Sequence, residues 1–123
     1  MLMIDALIAH TDEVCTCTKT FRDGEPLVEN GRVSPLVVIE LFAQTAAAHF
    51  GYAGLVRGGA ITSGALLGTR KIDVSVDAFR VGEEITIIAT RTMAMPPMAQ
   101  FECVAKIGDR EVASGSINVA MGG

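Results

Sequence analysis

Residues 37–50 read VVIELFAQTAAAHF. The run is apolar almost all round, yet it carries a carboxylate, Glu40, and an amide, Gln44, one turn later. Ser34 and Pro35 stand just before it, a capping hydroxyl and a residue suited to the first helical position. No breaker interrupts the run from Leu36 until Gly51, and Gly51 and Gly54 offer stops. The stretch predicts a helix from Leu36 to about Gly51, roughly 25 Å long at about 1.5 Å per residue. Successive positions turn by about 100°. Glu40 and Gln44 therefore share a face, which Ala47 and Ala48 continue with very small side chains. Ile39, Phe42, Ala46 and His49 lie largely opposite. His49 is about half a turn away from Glu40, so a regular helix excludes a dyad between them.

Two readings of Glu40 are open at this point. It can reach solvent along an exposed edge, as many helical glutamates do. Or it is held among VVI and LFA, because a helix apolar all round is usually buried. A buried carboxylate needs partners or a raised pKa, and such a group in a cleft is a candidate acid or base.

The flanking sequence reads mostly as strand. Residues 2–21 predict one or two strands, with Thr16, Thr18 and Thr20 alternating against Cys15, Cys17 and Phe21. His10 falls in an expected turn, AHTDE, and residues 22–34 read as loop. The glycine-rich segment 57–70 leads into KIDVSVD, where Ile72, Val74 and Val76 alternate with Lys71, Asp73, Ser75 and Asp77. Val81-Gly82 marks a turn and residues 83–91 a strand. Pro96-Pro97 breaks the next connection. Residues 99–107 place Phe101, Cys103, Ala105 and Ile107 on one face, Gly108-Asp109 suits a two-residue hairpin turn, and residues 111–119 complete a meander. A strand, a long helix and then four strands make an α+β pattern, an antiparallel sheet with one helix against it.

The bulk numbers narrow the class. The 123 residues suffice for one domain, 1–123, and half of them are hydrophobic, enough for one core. The net charge of −4 is interspersed, with no basic run, which argues against nucleic-acid binding. No apolar stretch approaches the roughly 20 residues of a membrane span. The start, MLMIDALIAHTDE, has no basic region before its apolar residues and is not read as a signal peptide. Cys15, Cys17 and Cys103 are an odd count and are expected as reduced, buried or half-buried thiols, with no metal site. The expected setting is a reducing cytoplasm.

SPLVVIELFAQTAAAHFGY resembles the central-helix segment of hotdog-fold acyl-carrier-protein dehydratases. SGALLGTRKIDVSVDAFRVGEEITIIATR resembles the strand pair that follows, and FECVAKIGDREVASGSINV the terminal hairpin. Together the likeness covers about residues 1 to 120, and it is nearest to the 3-hydroxyacyl-carrier-protein dehydratase-like proteins of the aryl-polyene type. The resemblance implies a hotdog fold, a long helix wrapped by a bent antiparallel sheet, and a homodimer, with higher assembly open. It implies a substrate that is an acyl thioester on phosphopantetheine, carried by acyl carrier protein or coenzyme A, and no cofactor. In the family a helix acid and a histidine eliminate water from a 3-hydroxyacyl thioester. One group takes the α-proton and one protonates the departing hydroxyl.

By that resemblance Glu40 matches the helix acid and Gln44 a supporting hydrogen-bonding residue, and Ser63, Gly64, Gly68, Arg70 and Lys71 match the substrate-binding segment. No acidic residue lies between 57 and 71, so two readings of Arg57, Arg70 and Lys71 are open: a local positive patch for a phosphate or an acidic carrier protein, or ordinary solvated charges at strand ends. The family histidine departs from the pattern. Its usual place is an LPHR-xP stretch immediately before a segment like MLMID, or a GHFPG loop before the helix, and residues 22–35 hold no histidine. Three readings follow: the histidine lies upstream of Met1, the protein is a non-catalytic hotdog subunit or acyl binder, or Glu40 activates water for thioester hydrolysis.

Overall fold

A computed structural model describes residues 4–56, 65–95 and 98–120. Side chains are described for these except at 50–56, 65–67 and 94. Strands β1 (Ala6–His10) and β2 (Val14–Thr20) come first, then a short β3 (Arg32–Val33) and helix α1 (Val37–Val56). After it come β4 (Ala65–Val74), a short β5 (Phe79–Arg80), β6 (Glu84–Met95), β7 (Met98–Ile107) and β8 (Arg110–Ala120). The main sheet is wholly antiparallel, in the order β1-β2-β6-β7-β8-β4, and β3 pairs with β5 in a small second sheet. Helix α1 lies against the main sheet and touches β2, β6, β7, β8 and β4.

The alternation read from sequence is the alternation observed. Cys15 and Cys17 on β2, Ile85, Ile87 and Ala89 on β6, and Phe101, Cys103 and Ala105 on β7 are all buried. Cross-strand pairing aligns them, with Cys17 opposite Ile87 and Ile87 opposite Ala105. This face meets Val38, Leu41, Phe42 and Ala46 of the helix, which with Phe21, Phe79, Phe101 and Ile117 form the core. The β7–β8 hairpin closes through Gly108 and Asp109, and Gly108 takes φ 62°, the sign that the first position of a two-residue hairpin turn demands.

Several expectations are corrected. The helix proper begins at Val37, after a tight turn in which Val37 N–H donates to Ser34 O at 3.1 Å and Leu36 N–H to Ser34 Oγ at 3.3 Å. It then runs through Gly51 and Gly54 to Val56. A glycine inside a helix costs about 1 kcal/mol, which does not by itself end one. His10 belongs to β1 rather than to a turn. The strands after the helix are not a simple meander: β6, β7 and β8 follow one another, but β4 pairs with β8 across the sheet. β6 also extends beyond the expected residue 91 to Met95, while residues 96 and 97 lie outside the described residues. Among the described residues no helix is long and apolar enough to cross a membrane.

Candidate functional site

Helix α1 places Glu40 in its first turn, at the positive end of the helix dipole, with Gln44 directly behind it. Gln44 Nε2 donates to Glu40 Oε1 at 3.1 Å, and Gln44 Oε1 accepts the backbone N–H of Ile4 at 3.3 Å. The amide therefore has a defined orientation, its donor end toward the carboxylate and its acceptor end toward the N-terminal strand. A carboxylate oriented in this way can take a proton from, or return one to, a bound molecule.

Of the two readings of Glu40, the single chain shows the exposed one. The neighbouring Val37, Val38, Leu41 and Phe42 turn inward and are buried, while Glu40 falls on the outer side with Leu36, which is 68% exposed. Ile39, Ala43, Gln44 and Ala47 on that side are half-buried. Ile39 is thus a flank residue rather than part of the bulky inward side. The helix is apolar on both sides, and one of them lies open on the single chain.

Both histidines of the sequence sit elsewhere. His49 is buried on the inner side, where its Nε2 donates to Asp12 O at 2.9 Å and its ring meets the Phe101 ring edge-on at 5.6 Å. His10 Nε2 donates to His49 O at 3.0 Å, and the two imidazoles lie 4.8 Å apart. Burial pushes His49 below the ordinary imidazole range, opposed by its hydrogen bond to the Asp12 carbonyl. The pair fastens the β1–β2 turn to the second half of the helix.

The residues matched to substrate binding are divided. Ser63, Gly64 and Arg57 lie outside the described residues. Gly68 is half-buried on β4, and Arg70 and Lys71 are exposed at an irregularity between Arg70 and Asp73, where Lys71 takes φ 53°. Arg70 and Lys71 line a cavity of about 370 Å³ together with Asp73, Gln100, Glu102 and Ser116. Arg70 pairs with Ser116 and Ser116 with Glu102, out of step with the inward row of Ile117 and Phe101. The cavity therefore opens on the sheet face away from the helix, and the single chain does not bring it together with Glu40. Of the expected positive patch, Arg70 and Lys71 are described, and they do not stand alone. Folding adds the carboxylates of Asp73 and of Glu102, which accepts from Ser116 Oγ at 2.6 Å, so the lining carries both signs.

The three thiols are buried and unbridged. Cys15 and Cys17 approach to 4.0 Å, and this contact, then burial, holds Cys15 well above the ordinary thiol range. Burial, then the Glu102 charge, pushes Cys103 up to about 12. Among the described residues no cluster of His, Cys, Asp and Glu is arranged to hold a metal.

One feature escaped the sequence reading. Lys19 occupies the inward position between Cys17 and Phe21, opposite Ile85, and is 4% exposed. Its Nζ lies 2.6 Å from Glu25 Oε1, 3.4 Å from Asp5 Oδ1 and 4.9 Å from the centre of the Phe21 ring. The available signal was a lysine at the parity of a buried row, within reach of two acids.

A long helix laid on one face of an antiparallel sheet is the hotdog arrangement, and known structures agree. The dehydratase heterocomplex ApeI:P from Xenorhabdus doucetiae superposes with a TM-score of 0.89 at 21% identity, over 98% of this chain and 83% of that one. The E. coli PaaI protein from the phenylacetic acid degradation operon gives 0.72 at 14% identity, over 99% and 81%. A hypothetical thioesterase protein from Streptococcus pneumoniae, solved with coenzyme A, gives 0.66 at 15% identity, over 96% and 85%. These likenesses establish a hotdog-fold protein. The ApeP-like family, described as ApeP dehydratase, matches residues 1–122, and the chain belongs to that family. Comparison with curated protein sequences finds no match.

Proposed function

We propose that this protein handles acyl thioesters and acts as a 3-hydroxyacyl-carrier-protein dehydratase, with Glu40 as the acid/base group and Gln44 holding it. Family membership over nearly the whole chain supports the reaction class. The observation that carries the residue assignment is the oriented Glu40–Gln44 pair on the outer side of the helix. In the elimination the C2–H and C3–O bonds break, C2=C3 forms, and the hydroxyl leaves as water. A carboxylate can receive the α-proton or deliver the proton that water needs.

The active form in this reading is a homodimer. A second copy covers the apolar outer side of the helix, withdraws Glu40 from bulk water and completes a slot for the acyl chain. The substrate hangs on phosphopantetheine, from a carrier protein or coenzyme A. Ser63, Gly64, Gly68, Arg70 and Lys71 remain proposed substrate contacts, the last two for a phosphate.

A second reading has its own support. Both histidines are engaged on the inner side of the helix, and the similar ApeI:P structure is a heterocomplex. A subunit that pairs with a different hotdog chain, and draws its second catalytic group from it, fits those two observations. Hydrolysis with Glu40 activating water is the remaining alternative.

Turnover of a 3-hydroxyacyl thioester by the wild type and by Glu40→Gln tests the assignment. General acid–base catalysis contributes about 10²–10⁴-fold, and a loss of that order is expected with circular dichroism and oligomeric state unchanged. Unchanged turnover in the variant refutes it. Activity appearing only on addition of a second hotdog chain favours the paired subunit, and release of free thiol without enoyl product favours hydrolysis.

A further inference from the structure

The residue before the helix acid in the hydrogen-bond chain is Gln44, and one of its partners is the backbone just before β1. Asp5 is fixed at several points: its N–H donates to Thr18 O at 2.9 Å, and its Oδ2 accepts Thr20 N–H at 2.6 Å. Its Oδ1 faces the buried Lys19 ammonium at 3.4 Å. Lys19 is fixed in turn by Glu25, whose Oε2 accepts Arg22 N–H at 2.6 Å. Residue 5 cannot slide along β2 without breaking these contacts, so the Ile4 N–H is delivered to one place, 3.3 Å from Gln44 Oε1.

That N–H favours the orientation in which the donor end of the Gln44 amide faces Glu40. A primary amide has one acceptor end and one donor end. With its oxygen on Ile4, Gln44 presents its NH₂ to the carboxylate. Reversed, it would set its oxygen against the carboxylate oxygen and its NH₂ against the Ile4 N–H, and both contacts would be repulsive. We infer that Asp5, held by the buried Lys19, is a positioning residue for the Glu40 carboxylate, acting through the Ile4 N–H and the Gln44 amide. The inference rests on the reading of Glu40 as the acid/base group. It makes the ion cluster at the start of the chain part of the active-site machinery rather than a surface fastening.

The test compares Asp5→Ala, and the milder Asp5→Asn, in the wild-type and Glu40→Gln backgrounds. In the wild-type background kcat on a 3-hydroxyacyl thioester falls about tenfold, within the range that small misplacements of a reacting group produce, while KM stays within about twofold. In the Glu40→Gln background the same substitution has no further effect, because the group it positions is already gone. An equal loss in both backgrounds overturns the proposal, since a structural role would act in both. Independently of turnover, Asp5→Ala shifts the Gln44 side-chain NH₂ resonances and the Ile4 amide together in nitrogen-15 spectra. Unmoved Gln44 resonances also overturn it. Wild-type turnover in Glu40→Gln removes the catalytic reading alone, and the spectra then decide whether the relay exists. Asp5→Asn keeps an acceptor for Thr20 N–H and carries the same measurements where Asp5→Ala does not fold.

Discussion

Lys19→Met removes the charge at the centre of the ion cluster while keeping most of the side chain's length. The ammonium is buried, and both carboxylates it serves, Asp5 and Glu25, keep 31% side-chain exposure. Breaking a fully buried pair costs about 3–5 kcal/mol, and an exposed pair is worth about 0–1 kcal/mol. One buried cation between two partly solvated carboxylates falls between those limits, so the expected loss is about 2 kcal/mol. Methionine still fills the space over Phe21, where a thioether makes a favourable aromatic contact, so little of the loss comes from a cavity. For a domain of this size about 1 kcal/mol moves Tm by about 4 °C, which gives roughly 8 °C. The assay is urea and thermal unfolding followed by far-ultraviolet circular dichroism at fixed protein concentration, since assembly also shifts Tm.

The pH dependence separates charge from packing. The Lys19 hydrogen bond first, then the Arg22 N–H, holds the Glu25 carboxyl below its ordinary 4.5. A group with a depressed folded pKa contributes stability that is present in full above the unfolded value and is lost as pH falls through the folded one. The difference between wild type and Lys19→Met is therefore largest near neutral pH and shrinks below about 4.5. A difference under 0.5 kcal/mol at pH 7, or one that persists unchanged at pH 3, would refute the electrostatic account.

Two further outcomes follow from the packing. A Cβ added at Gly115 would run into the side chain of Ile72 and lie 3.2 Å from its Cα, so Gly115→Ala is expected to cost about 1–3 kcal/mol in unfolding free energy, and a neutral result would mean that β4 moves freely away from β8. His49 is held below 6.5 by burial, so the unfolded chain binds the proton first. Its stabilisation is complete above about pH 6.5 and is withdrawn as pH falls through the folded value. The unfolding midpoint should decline between pH 7 and pH 5 and decline less in His49→Leu, and equal slopes would show that another group carries the effect.

What was legible in the sequence is what local periodicity encodes. VVIELFAQTAAAHF announced its helix because its neighbours along the chain settle which residues share a face, and Phe101, Cys103 and Ala105 announced a buried strand face for the same reason. The Glu40–Gln44 pair was readable too, because a spacing of four on one helix needs no tertiary information. The tertiary structure alone decided the rest. It seated β4 beside β8, brought Glu102 to the cavity of Arg70 and Lys71, and gave Lys19 an inward place that its charge argues against. It also turned Glu40 outward from a helix that reads as buried on every side. Each of these depends on contacts that local periodicity does not encode, where the free energy lies in the partner the fold supplies: two carboxylates for an inward lysine, and for a glutamine the backbone N–H of a residue in another element.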